Sequence, residues 1–474
     1  MKTFAAFLLV GVVAGQAWGG KLSLDEQIRR QEFVATQRLL ANVSPTDARP
    51  GTVIASPSRE NPDYYYHWVR DAALVMQVVL NLYEDTKDPV VADYYLHRVY
   101  DFVELTRYQQ NQDTLSGLGE PKFYVDGRGF DGPWGRPQND GPALRASVMI
   151  RWAEILLDRG DWDTVREELY DSGLLRNDRY HIIKTDLEFV SHHWQEANFD
   201  LWEEVKGDHF YTRYVQRKAL IDGARLARRM GDTRAATWYE RQAERITKSL
   251  DKFLSRDQGV ILTTLNQVEG LGYKSSNQDT ANILAILHAS NHDNTLPASS
   301  DWVLNTAHQL HLKFNGIYAI NYRLPELGTA YGRYPEDQYY SGNPWFLTTL
   351  AIAELYFQVA AENRVHRQIE ITSRNQSFYS MLLTGKKASD LIRVGSRLTH
   401  ESSTFEKLQN QLEQKANQLF HRVLFHMGHD GSMAEQMNKN HGFMESARDL
   451  TWSYAAFLTA AKARKNYLEA NSDF

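Results

Sequence analysis

Residues 210–254 of the chain read FYTRYVQRKALIDGARLARRMGDTRAATWYERQAERITKSLDKFL. Apolar side chains recur in this segment every three or four residues, which is the spacing of one face of an α-helix. The pattern predicts one helix near 210–230 and a second near 234–254, with only a short connection between them. The segment therefore predicts a helical hairpin.

Helical spacing dominates the rest of the chain as well, beyond its first twenty residues. Strand-like alternation is limited to short pieces such as GVILTTL, which starts at Gly259. Short connections alternate with long ones rich in Gly and Pro, at 111–140, 262–277 and 313–343. This order predicts an all-α toroid of helical hairpins whose long loops gather at one end. The predicted helices span 24–42, 71–85, 89–110, 141–158, 177–195, 210–230, 234–254, 278–290, 299–312, 344–362, 403–426 and 446–464.

The bulk composition is that of a globular protein and excludes several kinds of site. Of 474 residues, 42% are hydrophobic and 24% are charged. The formal charge is −6 without a basic block, which argues against a nucleic acid partner. The absence of cysteine excludes thiol nucleophiles and thiolate zinc sites. We predict no cofactor and no metal, because His421, His426 and His429 have the spacing of a polar helix end.

The first twenty residues, MKTFAAFLLVGVVAGQAWGG, are typical of a signal peptide. Lys2 precedes an apolar run from Phe4 to Ala14, and small residues follow at Ala17 and Gly19. The run is too short to span a bilayer, and no later stretch reaches the necessary length. We therefore expect an exported protein without a membrane partner, located in the medium, the wall or a vacuole.

Residues 21–474 are predicted to form a single domain, since no Ser/Thr/Pro-rich linker divides them. We expect this domain to be a monomer. Because export is expected, the two Asn-x-Ser sequences at Asn42 and Asn375 are candidate glycosylation sites.

Five loop-like segments combine acids, arginines and aromatic residues. Helix capping explains Asp140 and Asn343, but it does not explain the aromatic and basic residues or two widely separated glutamates. Sugars suit this mixture, since their C–H faces stack on aromatic rings and their vicinal hydroxyls fit an arginine beside an aspartate. Arg70–Asp71 and Arg333…Asp337 supply such pairs, although surface ion pairs are the alternative. The segments are NPDYYYHWVRDAAL (61–74), GLGEPKF with GPWGRPQNDGPALRA (132–146), NFDLWEEVKGDHFYT (198–212), GRYPEDQYYSGNPWF (332–346) and MAEQMNKNHGF (433–443).

These segments resemble the signature regions of glycoside hydrolase family 15, the glucoamylases of yeasts and filamentous fungi. The resemblance covers most of residues 50–464 and includes GTVIASPS, PQNDGPALRA, DLWEEV, RYPED and LTWSYAA. It implies an (α/α)6 barrel that removes single glucose units from the non-reducing ends of starch, glycogen and maltooligosaccharides with inversion. Inversion requires two carboxyl groups roughly 6.5–9.5 Å apart, with room for a water between them.

The resemblance also implies the roles of individual residues. Glu203, the first glutamate of DLWEE, matches the general acid, and Glu204 matches a residue that holds the sugar on the leaving-group side. Glu435, in AEQ, matches the general base, and Tyr64 matches the tyrosine that positions the attacking water. The two neighbouring glutamates lie just ahead of a predicted helix, where a rotation of about 100° per residue would direct them to different targets.

The remaining site residues are also implied by the resemblance. Arg70 and Asp71 match the pair that grips the 4- and 6-hydroxyls of the terminal glucose. Arg333 matches an arginine that contacts sugars on both sides of the cleaved bond, and Asp337 is predicted only to orient Arg333. The indole of Trp202 is expected to exclude water from Glu203. The aromatic residues that match the lining of the substrate funnel are Trp68, Trp134, Tyr339 and Trp345.

The sequence says less about the leaving-group specificity and about further modules than it says about the catalytic residues. No segment resembling a starch-binding module follows the last predicted helix. Two alternatives to the α-1,4-glucan hydrolase stay open: a hydrolase of the same fold acting on trehalose or isomaltose-type chains, and an inactive carbohydrate-binding relative. The presence of both carboxyl positions within full motifs argues against the inactive relative.

Overall fold

The computed structural model describes residues 22–170, 182–290, 293, 295–383 and 391–472. Within these ranges twelve α-helices have nine or more residues, and each corresponds to one predicted helix. The signal-like segment 1–20 and the start of the helix predicted at 177–195 lie outside the described residues. In chain order, helices α1 to α12 are Leu24–Ala41, Val69–Asp85, Pro89–Gln110, Asp140–Asp158, Ile182–His193, Phe210–Arg229, Thr233–Leu250, Ala281–Ala289, Asp301–Ile317, Phe346–His366, Ser403–His426 and Thr451–Ser472.

Six of these helices form a closed inner ring. Each of α2, α4, α6, α8 and α10 contacts the next even-numbered helix, and α12 contacts α2 to complete the circle. The odd-numbered helices pack outside: α1 on α12, α3 on α2, α5 on α4 and α6, α7 on α6, α9 on α8 and α11 on α10. This arrangement is the predicted (α/α)6 barrel, and the prediction of the fold class is confirmed.

The sequences of inner and outer helices differ in the way their positions require. The outer helix α7 buries a single stripe, which includes Ala235, Tyr239, Ala243, Ile246 and Leu250 at helical spacing. The ring helix α10 is buried on most of its surface, because it has neighbours on both sides in the ring and α11 behind it. A helix that is apolar all round is stable only when it is enclosed in this way.

Side-chain caps occur on several outer helices, although the outer helix α9 has none. Side chains cap the outer helices α1, α3, α7 and α11, through Ser23, Asp88, Asp232 and Ser402. No side chain caps α2, α4, α6, α8 or α10. Residues at or just before the starts of five ring helices line one cavity, so these helices run parallel and direct their N-termini to the same end.

Short strands hold the loops at this end of the barrel. Phe123 is paired with His67 at the start of α2, and Glu445 is paired with Gln436 beside Glu435. The strand-like GVILTTL contributes β6 and the start of β7. None of the described helices is long and apolar enough to cross a membrane. The strands β1 to β11 are His67–Trp68, Lys122–Phe123, Asn198–Phe199, Val205–His209, Leu254–Ser255, Val260–Ile261, Thr264–Gly270, Gln368–Glu370, Arg397–Thr399, Gln436–Met437 and Met444–Glu445.

Shorter helical segments complete the described secondary structure. They are Gly117–Gly119, Trp162–Thr164, Val165–Tyr170, Asp251–Phe253, Ala319–Arg323, Pro325–Leu327, Tyr339–Ser341 and Gln376–Leu382. Of these, only Tyr339–Ser341 contributes to the cavity described below, through Tyr339.

Candidate active site

A cavity of about 630 Å³ opens at the end of the barrel where the ring helices begin. It is lined by residues from six separate parts of the chain. All of the predicted site residues except Asp337 are among them. The predicted residues on its wall are Tyr64, Trp68, Arg70, Asp71, Trp134, Trp202, Glu203, Glu204, Arg333, Tyr339, Trp345 and Glu435.

Glu203 and Glu204 belong to a tight turn and not to the start of a helix. The turn, residues 200–204, connects β3 to β4, and α6 begins only at Phe210. The Asp200 carboxylate accepts the backbone N–H groups of Glu204 at 2.7 Å and Val205 at 2.9 Å. The expectation of a helix start is therefore wrong, because the acceptor for these backbone donors is a side chain of the turn itself.

The turn is tight enough to place Glu203 in the left-handed backbone region, at a φ of 67°. This conformation is uncommon for a residue other than glycine. Gly270 of β7 allows the neighbouring strand to approach, since a Cβ there would lie 2.1 Å from the carbonyl oxygen of Glu204. The divergence of the two glutamates thus comes from the turn and not from helical rotation.

One oxygen of Glu203 is held and the other is not. Trp68 Nε1 donates to Oε1 at 2.7 Å, and Gln138 Nε2 donates to the same atom at 3.0 Å. Arg70 Nη2 lies 3.6 Å from it. Among the described residues Oε2 accepts no hydrogen bond, and the side chain is partly exposed to the cavity. Trp68 was predicted only to line the funnel, but it also fixes this carboxyl group.

Glu204 has a separate set of partners. Arg333 Nη2 donates to its Oε1 at 2.7 Å, and the hydroxyl of Tyr334 donates to its Oε2 at 2.7 Å. Burial raises the pKa of Glu204, and the charges of Arg333 and Lys274 act in the opposite direction. Both carboxyl oxygens are therefore occupied, which suits a residue that shapes the site and not one that transfers a proton.

Glu435 lies at the base of the hairpin formed by β10 and β11 and is 1% exposed. Ser446 Oγ and Gln436 Nε2 both donate to its Oε2, the latter at 2.9 Å. Burial raises the pKa of Glu435 to about 7, against the lowering effects of Ser446, Arg333, Gln436 and Tyr64. These donors and the cation thus offset part of the effect of burial, which stays the largest influence on the pKa of Glu435.

Tyr64 reaches the same region of the cavity from the loop before α2. Its hydroxyl is 2.8 Å from the hydroxyl of Tyr339. Burial, followed by the charge of Glu435, raises the pKa of Tyr64 well above its ordinary value. The phenol therefore stays protonated and can both donate and accept a hydrogen bond next to Glu435.

Arg70 and Asp71, in the first turn of α2, contribute to the wall of the cavity. Arg70 Nη1 donates to Gln138 Oε1 at 2.8 Å and to Asp140 Oδ2 at 3.1 Å. Asp140 therefore anchors Arg70, and the capping role expected for it is wrong. The Nε of Arg70 is buried without a hydrogen-bond partner and lies 3.6 Å from Asp71 Oδ2. Burial raises the pKa of Asp71 to about 6.

Asp337 and Asn343 lie outside the cavity wall. Asp337 accepts two hydrogen bonds from Arg333, at 2.8 and 2.6 Å, which is the contact that the predicted orienting role requires. Asn343 does not cap α10, because its amide donates to Gln436, Glu445 and the carbonyl of Tyr340.

Aromatic rings form most of the remaining wall. Trp202 packs against Trp452 and Trp345, and its Nε1 donates to Asp279 at 2.9 Å. In contrast, the Nε1 atoms of Trp134 and Trp345 are buried without a partner. Aromatic rings thus alternate with charged groups on this wall, which suits a ligand with both C–H faces and hydroxyl groups.

Sequence reasoning missed four residues that build this site. Lys122 and Gln138 lie within the quoted segments GLGEPKF and PQNDGPALRA, but nothing singled them out. The Lys122 amine lies 3.6 Å from the Trp134 ring centroid and 3.9 Å from that of Tyr66, and burial lowers its pKa to about 8. Ser446 and Lys274 carried no signal in the sequence.

A second cavity, of about 540 Å³, lies inside the ring and is lined by all six ring helices. Its acids are engaged with neighbours: Glu154 with Arg229, Asp222 with Lys218, and Glu354 with Thr459 and Gln358. Arg151 and Arg225 line it, but Trp452, which also lines the first cavity, is the one Trp or Tyr among its described lining residues. In the described residues no three His, Cys, Asp or Glu side chains cluster as metal ligands do.

Known proteins resemble the chain in sequence over nearly its full length. The family model of glycosyl hydrolases family 15 matches residues 30–462. A glucoamylase of Blastobotrys adeninivorans is 37% identical over 464 aligned residues, covering 94% of this chain and 73% of the relative. A probable glucoamylase of Schizosaccharomyces pombe is 32% identical and is aligned over 98% of this chain and 99% of its own length.

Solved structures show the same similarity. A family 15 glucoamylase from Hypocrea jecorina superimposes with a TM-score of 0.84 at 32% identity, covering 94% of this chain and 73% of that one. The glucoamylase of Saccharomycopsis fibuligera gives 0.83 at 30% identity, covering 94% and 96%. Because the family model spans most of the sequence and the relatives align across most of their length, the chain belongs to glycosyl hydrolases family 15.

Proposed function

We propose that this family 15 glycoside hydrolase is an exo-acting, inverting α-glucan glucohydrolase. It releases β-D-glucose from the non-reducing ends of α-1,4-linked glucans and, more slowly, α-1,6-linked glucans. One observation carries the proposal: two glutamates more than 200 residues apart in sequence, Glu203 and Glu435, line one cavity with different hydrogen-bond partners. The names of the relatives, which are glucoamylases, support the same activity.

In the proposed mechanism the two carboxyl groups act at the same time. Glu203 gives its proton to the glycosidic oxygen, so that the bond from that oxygen to C1 breaks. Glu435 takes a proton from a water molecule, which forms the new bond to C1 from the opposite face. The product sugar therefore has the β configuration. The free Oε2 of Glu203 and the buried, donor-stabilised carboxylate of Glu435 support these separate roles.

The pair formed by Arg70 and Asp71 on the cavity wall supports exo action. Arg70 has an unpartnered donor beside the carboxylate of Asp71, and such a pair suits two neighbouring hydroxyl groups. A sugar whose 4- and 6-hydroxyls are held there has no room for a continuing chain beyond them. Starch, glycogen and maltooligosaccharides are therefore the proposed substrates, and their ends are the site of attack.

Two amide variants test the mechanism. Glu203→Gln and Glu435→Gln should each reduce the turnover of maltose by at least ~10², the lower limit of typical general acid–base contributions. Both variants should still bind maltooligosaccharides, whereas the exposed control Glu401→Gln should behave as the unmodified protein does. NMR of fresh product should show β-glucose first. Near-normal turnover of either variant, or an initial α-anomer, would contradict the proposal.

Product analysis separates the remaining candidates. The protein is incubated separately with starch, maltose, isomaltose and trehalose. We expect glucose to appear from starch without intermediate oligomers. Preferred cleavage of trehalose or isomaltose would favour the other specificity on the same fold.

We also propose that the protein is exported, which the signal-like pattern of residues 1–20 supports, and that it is a monomer. The N-terminal sequence of protein from the medium and its mass by light scattering test both statements.

A further inference from the structure

Lys274 is a buried cation that faces three carboxylates beside the active-site cavity. It lies in the loop between β7 and α8, and its side chain is 11% exposed. Its Nζ is 3.1 Å from Asp200 Oδ2, 3.2 Å from Asp279 Oδ2 and 3.9 Å from Glu204 Oε2. Among the described residues it is the cation that pairs with Asp200 and with Asp279, both of which are 1% exposed.

The first of these carboxylates, Asp200, defines the turn that carries the two glutamates. Its Oδ1 accepts the backbone N–H groups of Glu204 and Val205, and its carbonyl accepts the N–H of Glu203 at 2.9 Å. Its other oxygen, Oδ2, is held by Lys274. The lysine therefore fixes the side chain around which the turn is built.

The second carboxylate, Asp279, connects the lysine to the cavity wall. Its Oδ1 accepts the indole N–H of Trp202 at 2.9 Å and the backbone N–H of Ala281 at 2.8 Å. Trp202 immediately precedes Glu203 in the turn. Lys274 thus holds the turn at its first residue, Asp200, and through Asp279 at its middle residue, Trp202.

The third contact is on the side of Glu204. The Lys274 amine lies over the ring of Tyr334, 4.0 Å from its centroid, and Tyr334 donates its hydroxyl hydrogen to Glu204. Burial alone would lower the pKa of Lys274, but the carboxylates of Asp200, Asp279 and Glu204 raise it above the ordinary value. The amine therefore stays charged while the site works.

We propose that Lys274 is a positioning residue for the general acid, and this inference rests on the proposed function. Glu203 has a left-handed backbone, a conformation that is strained for a residue other than glycine. Such a conformation persists only when neighbouring contacts impose it. Lys274 supplies that constraint from outside the turn, and it keeps the carboxyl of Glu203 aimed at the leaving oxygen without touching the substrate.

A pair of substrates separates positioning of the acid from general damage to the fold. Lys274→Met keeps the length of the side chain and removes its charge. Cleavage of maltose requires protonation of the leaving oxygen, whereas fluoride departs from α-glucosyl fluoride with much less help from an acid. We expect the variant to lose ~10-fold or more in kcat on maltose, part of what general acid catalysis contributes, and less than ~3-fold on the fluoride. KM should change little for either substrate.

Two further variants complete the design. Lys206→Met removes a half-exposed lysine of the adjacent strand β4, paired with Glu269 at 4.0 Å, and should leave both activities unchanged. Asp279→Asn keeps the shape of the residue but weakens one contact of Lys274. It should show the same preferential loss on maltose to a smaller extent, and it provides the test if Lys274→Met does not fold.

Equal losses on both substrates, or unchanged activity on both, would overturn the inference. Glu203→Gln is measured in parallel to separate this inference from the proposed function. If Glu203→Gln keeps its turnover of maltose, the proposed function itself fails. If Glu203→Gln is inactive on maltose while Lys274→Met is normal on both substrates, only the role of Lys274 is lost.

Discussion

The side chains of Glu203 and Glu435 differ in their exposure and in their hydrogen-bond partners. Glu203 is partly exposed and has one oxygen free, whereas Glu435 is buried below the cavity surface and held by Ser446 and Gln436. In the proposed mechanism Glu435 is a general base and must be ionised in the free enzyme, so its raised pKa is expected to limit activity on the acidic side. We therefore expect the donors around Glu435 to influence the pH range of activity.

Ser446→Ala should shift the acidic limb of the pH profile to higher pH. The hydroxyl of Ser446 donates to the Glu435 carboxylate and lowers its pKa, which burial has raised to about 7. Removing this donor raises the pKa further, and a larger fraction of the base is then protonated at acidic pH. The measurement is kcat/KM on maltose between pH 4 and 9.

The basic limb of the same profile should be unaffected by Ser446→Ala. Ser396→Ala is the control, since that hydroxyl is exposed and donates to the carbonyl of Arg393 in a distant loop. An acidic limb that stays in place, or that moves to lower pH, would show that Ser446 does not stabilise the ionised base.

At the scale of secondary structure elements, a buried ion pair connects α4 to α5. Arg145 donates to both oxygens of Asp186, at 2.8 and 2.7 Å, and neither side chain is exposed by more than a few per cent. A pair of this kind is tolerated because each charge is compensated by the other. It fixes a ring helix to its outer neighbour directly behind the residues that line the cavity.

Asp186→Leu should destabilise the protein by about 3–5 kcal/mol, because it leaves the Arg145 charge buried and unpaired. The double variant Arg145→Met with Asp186→Leu removes both charges and should recover most of the loss. The urea midpoint of unfolding measures both effects. A double variant less stable than the single one would show that the arginine is compensated by other groups.

At the scale of the whole molecule, closure of the ring brings the two ends of the described chain together. Helix α1 packs on α12, and the amide of Asn42 donates to the Thr451 hydroxyl at 2.9 Å, 409 residues away in sequence. Asn375 is likewise buried, and its amide donates to the carbonyl of Glu370 at 2.9 Å. Both sequons therefore have the nitrogen that would carry a glycan inside the folded structure.

We expect neither Asn42 nor Asn375 to carry a glycan in protein expressed by a glycosylating host. Attachment at either nitrogen would break a buried hydrogen bond and displace packed neighbours. Peptide mass mapping before and after endoglycosidase treatment should show both residues unmodified. Glu401→Asn creates Asn-Ser-Ser at an exposed position and should be modified, which serves as the control. A glycan on Asn42 or Asn375 in folded protein would contradict the expectation.

Helical spacing in the sequence was sufficient to predict the order and approximate bounds of the twelve long helices among the described residues. Their signal is local, because apolar spacing and end signals act within a few turns. It also marked both glutamates and the arginine and aromatic residues around them, because these lie in long segments resembling those of a known family. The turn that carries Glu203 was missed, since its hydrogen bonds depend on the Asp200 side chain and not on a helical pattern.

The contacts that support the proposed catalytic residues could not be predicted, because they form between distant parts of the chain. Trp68 holds Glu203, Asp140 anchors Arg70, Ser446 stabilises Glu435 and Lys274 fixes the turn, and none of these contacts follows from spacing along the chain. Trp68 and Glu203, for example, are 135 residues apart in sequence and meet because the ring brings the starts of α2 and α6 to one end of the barrel. Burial and charge compensation arise from such long-range contacts, so the pKa values and the free energies they control exist only in the folded molecule.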